Sequence, residues 1–93
     1  MIYDLVISEQ IKADLEHHRK SGNKKQIEKV YTLFTEIVEH PRTGTGQAEQ
    51  LKYFEDKEIW SRRIDSKHRL IYEIKETELI VLAISAYGHY GDK

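Results

Sequence analysis

Ten residues from Trp60 to Arg69 carry Arg62, Arg63, Lys67 and Arg69 against a single acid, Asp65, a local charge of +3. The whole chain balances 15 Lys and Arg against 16 Asp and Glu for a net charge of −1, so the excess is local. With Arg63 and Arg69 on neighbouring strands joined by a short turn, two guanidiniums can converge on one anion, and their forked donors suit a phosphate. The plainer reading of the same residues is a solvated sheet face laced by salt bridges to Glu49, Glu73 or Glu78. Glu49 sits in a glycine-containing loop just before an expected strand, where a carboxylate taken alone is an exposed surface group. His89 lies in Tyr87-Gly88-His89-Tyr90-Gly91. By position it is a solvated tail residue, and by chemistry the one side-chain type whose ordinary pKa lets it exchange a proton near neutral pH. Trp60 reads as core and Lys52 as a surface charge.

Other chemistries find little support. With no cysteine, the chain has no thiolate nucleophile, no disulfide and no Cys-rich zinc site. His17 and His18 are adjacent, so on a helix they point about 100° apart. No His-Glu-x-x-His pair or Asp-x-Asp cluster occurs, and His40 and His68 lack neighbours at ligand spacing. A serine nucleophile elbow and a glycine-rich phosphate loop are also absent. Neither a metal nor an organic cofactor is expected.

The elements that position these residues follow from patterning. Ile2 to Ile7 reads as a strand, with Tyr3, Leu5 and Ile7 on one face. Ser8 is the expected N-cap of a helix over Glu9 to Lys20 with a thin stripe of Ile11, Leu15 and His18. Gly22 suits a left-handed C-cap, and Asn23, helped by Gln26, is expected to cap the next helix. That helix ends near Glu39 before Pro41, and Ile27, Val30, Tyr31, Phe34, Ile37 and Val38 form its apolar face. After the 42–50 loop come expected strands at Leu51 to Phe54, Trp60 to Ile64, His68 to Lys75 and Glu78 to Tyr87. Turns fall at 55–58, 65–67 and 76–77. The last strand, the most apolar, is expected to be central with both faces covered. The fold class is α+β in the order β-αα-ββββ, a helix hairpin packed on one face of a twisted, mainly antiparallel sheet whose other face is polar and open.

At 93 residues with 33% charged side chains, the chain is read as one domain, 1–93, with a modest core and no second lobe. The longest apolar run, Leu79 to Ile84, is far short of the roughly 18 residues of a membrane span, and Met1-Ile2-Tyr3-Asp4 does not begin like a signal peptide. A cytoplasmic location is expected.

The segments Trp60-Ser61-Arg62-Arg63-Ile64, His68-Arg69-Leu70-Ile71-Tyr72 and His89-Tyr90, with the upstream Gly44-x-Gly46-x-x-Glu49-x-Leu51-Lys52, together resemble the YoeB/Txe family of bacterial toxins in the RelE superfamily. By motif the resemblance covers Gly44 to Tyr90, and by element order the first half. The chain departs from the family pattern at Ala48 and Gln50, where prolines often flank the glutamate, and at Tyr87-Gly88, where Arg-Tyr is common. The resemblance implies a RelE-like fold and a ribosome-dependent endoribonuclease that cleaves mRNA in the A site of the 70S ribosome without a metal. It implies catalytic residues Glu49, Arg69, His89 and Tyr90, with Lys52 and Arg63 near the scissile phosphate. Arg62 and Lys67 join the RNA-binding set from the local charge. It also implies a cognate YefM/Axe-like antitoxin whose C-terminal segment wraps the toxin. A homodimer is compatible with it. The physical chemistry agrees: RNA carries its own 2′-hydroxyl nucleophile, and cleavage then needs a base (Glu49), an acid (His89) and positive charge on the phosphate (Arg69 with Arg63). Tyr90 is suited to stack on a base or bond the phosphate. The competing readings are a non-nucleolytic toxin of the same superfamily that poisons DNA gyrase by contact, and an RNA-binding module without activity.

Overall fold

The structure, a computed structural model, describes residues 2–51 and 56–88. The expected strand at Leu51 to Phe54 lies mostly outside them, as do Lys52, His89 and Tyr90. The elements are β1 (Asp4–Ile7), α1 (Glu9–Lys20), α2 (Lys24–Glu39), β2 (Glu49–Gln50), β3 (Glu58–Arg63), β4 (Arg69–Lys75), a 3₁₀ turn (Glu76–Glu78) and β5 (Ile80–Ser85). They form one five-stranded sheet in the order β1-β5-β4-β3-β2. β1 pairs with β5 in parallel and the other three pairs are antiparallel, so the β-αα-ββββ reading and the α+β class stand.

Ser8 begins α1 as expected, accepting from the Ile11 N–H at 3.1 Å while its hydroxyl donates to the Ile84 carbonyl at 2.7 Å. One side chain thus starts the helix and ties it to β5. The thin stripe on α1 is covered: Ile11 and His18 are fully buried. Asp14, absent from the expected stripe, is buried beside them because its carboxylate accepts from the Ala86 N–H at 2.8 Å. Gly22 takes the left-handed conformation of a helix end, φ +76°. Asn23 holds the N-cap position of α2, but its side chain makes no capping bond; its amide turns back to His18 Nδ1 at 3.2 Å, and Gln26 reaches Asp65. The buried face of α2 is Val30, Leu33, Phe34 and Ile37. Tyr31, expected in the core, is 55% exposed, while Leu33, absent from the expected face, is fully buried.

β5 lies inside the sheet, but the middle place and two-sided burial belong to β4, where Leu70, Ile71 and Tyr72 are all buried. Ile80, Leu82 and Ile84 of β5 are only half-buried, which corrects the expectation for the last strand. Strand alternation sends Arg62 with Ile64, Leu70, Tyr72 and Ile74 toward the helices, and Ser61, Arg63 and Arg69 to the other face. Trp60 shares the helix-facing side and packs half-buried against the core. Among the described residues no helix is long and apolar enough to cross a membrane.

Candidate active site

Three elements meet on the open face. The short strand β2 sets Glu49 opposite Ser61 of β3, and the β3–β4 ladder sets Arg63 directly opposite Arg69. Arg69 reaches back across β3. Its Nε donates to Ser61 Oγ at 2.9 Å, its Nη2 donates to the Gln47 carbonyl at 3.0 Å, and the same Nη2 lies 3.9 Å from Glu49 Oε1. Gln47 presents that carbonyl from a left-handed backbone, φ +54°, uncommon for a side chain other than glycine.

Burial separates the two partners of this ion pair. The Arg69 side chain is 11% exposed and that of Glu49 71%. Burial, with the neighbouring Arg63 cation adding to it and Glu49 opposing it, holds the Arg69 pKa below the usual arginine value. An arginine remains a cation throughout the working range of pH. Nη1 of Arg69 makes no bond among the described residues, which leaves its two hydrogens for a ligand. Arg63 is exposed beside it. Neither Glu73 nor Glu78 pairs with an arginine among the described residues, so the salt-bridged sheet face reduces to the Glu49–Arg69 contact.

The chain leads toward His89 from a clamped segment. Asp14 and His18 of α1 bind the N–H and carbonyl of Ala86, at 2.8 and 3.0 Å. The Gly88 N–H donates to His68 Nδ1 at 2.8 Å, and the Gly88 carbonyl accepts from the Arg69 backbone N–H at 3.0 Å. Because a carbonyl only accepts, His18 Nε2 carries the proton and Nδ1 accepts from Asn23. The Tyr87 ring packs against His17, His18 and His68 with centroids 4.2, 5.2 and 4.4 Å away.

Glu49, Arg63 and Arg69 are thus brought together, while two of the expected RNA contacts are placed elsewhere. Lys67 is exposed on the β3–β4 turn, beside a polar cleft of about 510 Å³ lined by Asn23, Gln26, Asp65, His68 and Tyr87. Asp65 shapes that turn by accepting from the N–H groups of Lys67 and His68, both at 2.8 Å. Arg62, expected at the phosphate, is fully buried and cannot face RNA in this conformation. Its position in the β3 alternation, on the face of Trp60 and Ile64, is the physical reason. Residues the motifs did not single out also shape the site: Ser61, the Gln47 carbonyl, and Glu36 with Thr45 behind the loop. Ser61 was legible from the same alternation that places Arg63; the others depend on loop conformation. Among the described residues no three His, Asp or Glu side chains are grouped to hold a metal ion.

A family model, the YoeB-like toxin of bacterial type II toxin–antitoxin systems, matches residues 7–90. Toxin YoeB of Synechocystis sp. is 37% identical over 71 residues, which is 76% of this chain and 79% of that protein. A YoeB/ParE toxin from Agrobacterium tumefaciens superposes with a TM-score of 0.81 at 28% identity, over 94% of this chain and 99% of that one. The YoeB dimer from Staphylococcus aureus superposes at 0.79 with 26% identity, and a YoeB–YefM complex from the same organism at 0.74 with 27%, each over 97% of this chain and 100% of that one. The archaeal RelE–RelB complex from Pyrococcus horikoshii, 14% identical with a TM-score of 0.76 over 99% of this chain and all of that one, shares the fold alone.

Proposed function

The chain belongs to the YoeB-like toxin family of bacterial type II toxin–antitoxin systems, and on that premise we propose that it is an endoribonuclease that cleaves mRNA in the A site of translating ribosomes. The observation that carries the reading is the Glu49–Arg69 pair: an exposed carboxylate 3.9 Å from a largely buried guanidinium, with Arg63 across the ladder. Glu49 takes the proton of the 2′-hydroxyl, and that oxygen attacks the adjacent phosphorus. Arg69, whose Nη1 makes no bond among the described residues, and Arg63 meet the negative charge that develops on the phosphoryl oxygens. The P–O5′ bond breaks and His89 protonates the leaving 5′-oxygen, giving a 2′,3′-cyclic phosphate and a free 5′-hydroxyl. Atoms and protons balance with no metal and no added water. Tyr90 stacks on a base or bonds the phosphate, and Lys52 adds charge nearby.

The exposed, positively charged Arg63 beside Arg69 also suits an acidic peptide. A YefM-like antitoxin whose C-terminal segment crosses this face would cover the active site and silence it; the S. aureus YoeB–YefM complex supports an antitoxin as partner. The S. aureus YoeB dimer makes a homodimer the natural free form to test. The reading is tested by mapping the 5′ ends of an mRNA incubated with the protein in a translating extract and in the same extract with initiation blocked. New ends only under translation support it; no new ends in either overturn it.

A further inference from the structure

We propose that Arg62 is a positioning residue for the cleavage reaction: a buried guanidinium that holds the loop between α2 and β2 in the shape that carries Glu49 and the Gln47 carbonyl to Arg69. The proposal rests on the reading of Glu49 and Arg69 given above.

A guanidinium has five N–H donors, and Arg62 makes five bonds. Nε donates to the Tyr72 hydroxyl at 3.1 Å. Nη1 donates to Glu36 Oε1 at 2.9 Å and to the Thr45 carbonyl at 3.2 Å. Nη2 donates to the carbonyls of His40, at 2.6 Å, and Thr43, at 2.7 Å. Three of the five acceptors are therefore backbone carbonyls of one loop. Two neighbours extend the hold: the Tyr72 hydroxyl donates to the Pro41 carbonyl at 2.6 Å, and Glu36 accepts from the Thr45 N–H and hydroxyl at 3.0 and 2.7 Å.

The two glycines of the Gly44-x-Gly46 motif fit around this centre. A Cβ on Gly44, at φ +132°, would lie 2.5 Å from Glu36 Oε1 and 2.8 Å from Arg62 Nη1. A Cβ on Gly46, at φ +84°, would meet the Arg63 backbone at 3.0 Å. The Gly46 carbonyl accepts from the Arg63 N–H, which locks the loop to β3 one residue before Gln47. Gln47 then turns its carbonyl to Arg69, and Glu49 enters β2 opposite Ser61.

Stability alone does not call for such a residue, since well-packed apolar side chains replace buried ion pairs at little or no cost in stability. What a buried arginine adds is a unique geometry for a stretch with no regular structure of its own. Arg62 has no exposed surface, so its effect on cleavage is expected in the chemical step and not in RNA affinity.

The test compares Arg62→Met and Gly44→Ala with the wild type, the second variant entering the Glu36–Arg62 pair from the loop side. Cleavage is followed on ribosomes programmed with a defined mRNA, and the Glu49 amide and Arg69 Nε–H signals by NMR. Both variants should move those two signals and lower kcat by about tenfold to a hundredfold, with KM within about twofold of wild type. Arg62→Lys, which keeps the charge with three donors for five acceptors, should recover part of the loss. Folded variants with wild-type kcat, or a loss confined to KM, overturn the proposal. If Arg62→Met fails to fold, Gly44→Ala decides alone. A wild-type protein that cuts nothing overturns the reading of the site; Gly44→Ala then still decides the positioning, by moving the Glu49 and Arg69 signals or leaving them in place.

Discussion

Glu49 and Arg69 form an ion pair in which only one partner faces solvent: Oε1 and Nη2 are 3.9 Å apart, with the carboxylate 71% exposed and the guanidinium 11%. The separation is longer than a charge-assisted hydrogen bond, so the carboxylate keeps its lone pairs for a proton. The arginine, fixed by Ser61 and the Gln47 carbonyl, is already ordered before any phosphate arrives. Glu49→Gln is therefore expected to leave the fold intact and to lower kcat by about 10²–10⁴-fold, the usual worth of a general base. Circular dichroism and single-turnover cleavage check both halves.

Ser61→Ala removes the acceptor of Arg69 Nε at a position that is 1% exposed. An unpaired buried donor costs about 1–3 kcal/mol, so a lower unfolding midpoint in urea is expected. Because the guanidinium also loses its anchor, kcat should fall by about tenfold, a scale typical of small misplacements at a catalytic group.

How far the sequence could be read depends on whether a property is periodic. Both helices, the element order β-αα-ββββ and the opposition of Arg63 to Arg69 follow from alternation and turn residues, and so they were legible; the order of strands within the sheet, with β4 and not the last strand in the middle, was not. The burial of Arg62 followed from the same alternation, yet its charge drew it into the phosphate set; a cation on an apolar face signals an internal partner, here Glu36. The loop from His40 to Ala48 has no period. Its shape comes from contacts distant in sequence, among them Arg62 with His40 and Thr43, and no local pattern encodes those. Asn23 stands at the helix end as expected but turns its side chain to His18, five residues back, and not to the backbone of α2.

The pH dependence of stability has a definite sign. The Thr45 hydroxyl, then the Thr45 N–H and Arg62, hold the Glu36 carboxyl below the usual carboxylate range against the opposing effect of burial. A lowered pKa favours the folded state above the unfolded glutamate value of about 4.3, and that contribution is lost as pH falls through the folded value. The wild type should unfold at lower urea on acidification below that point. Glu36→Gln should be less stable at neutral pH and should flatten this part of the profile.

The helix that clamps the approach to His89 yields another expectation. His18→Leu leaves the Ala86 carbonyl without its donor at a fully buried site. Destabilisation of about 1–3 kcal/mol is expected from denaturant unfolding. Cleavage at a temperature where the variant remains folded should also fall, since Ala86 to Gly88 lead into the residue assigned as the acid.

Affinity for free RNA should be low. With Arg63, Arg69 and Lys52 as the cations at the phosphate, the logarithm of the binding constant should fall with the logarithm of salt with a slope no steeper than about −2.1. Filter binding of a single-stranded mRNA fragment across a salt series measures this slope, and a steep slope with tight binding would mean a broader basic surface than the structure provides.

The most direct test of the central claim is primer extension on one mRNA translated in the presence of wild-type protein, Glu49→Gln or His89→Gln. Discrete new ends within translated codons are predicted for the wild type, with both variants reduced to background although folded. Ends of wild-type intensity from both variants would contradict the assignment of base and acid.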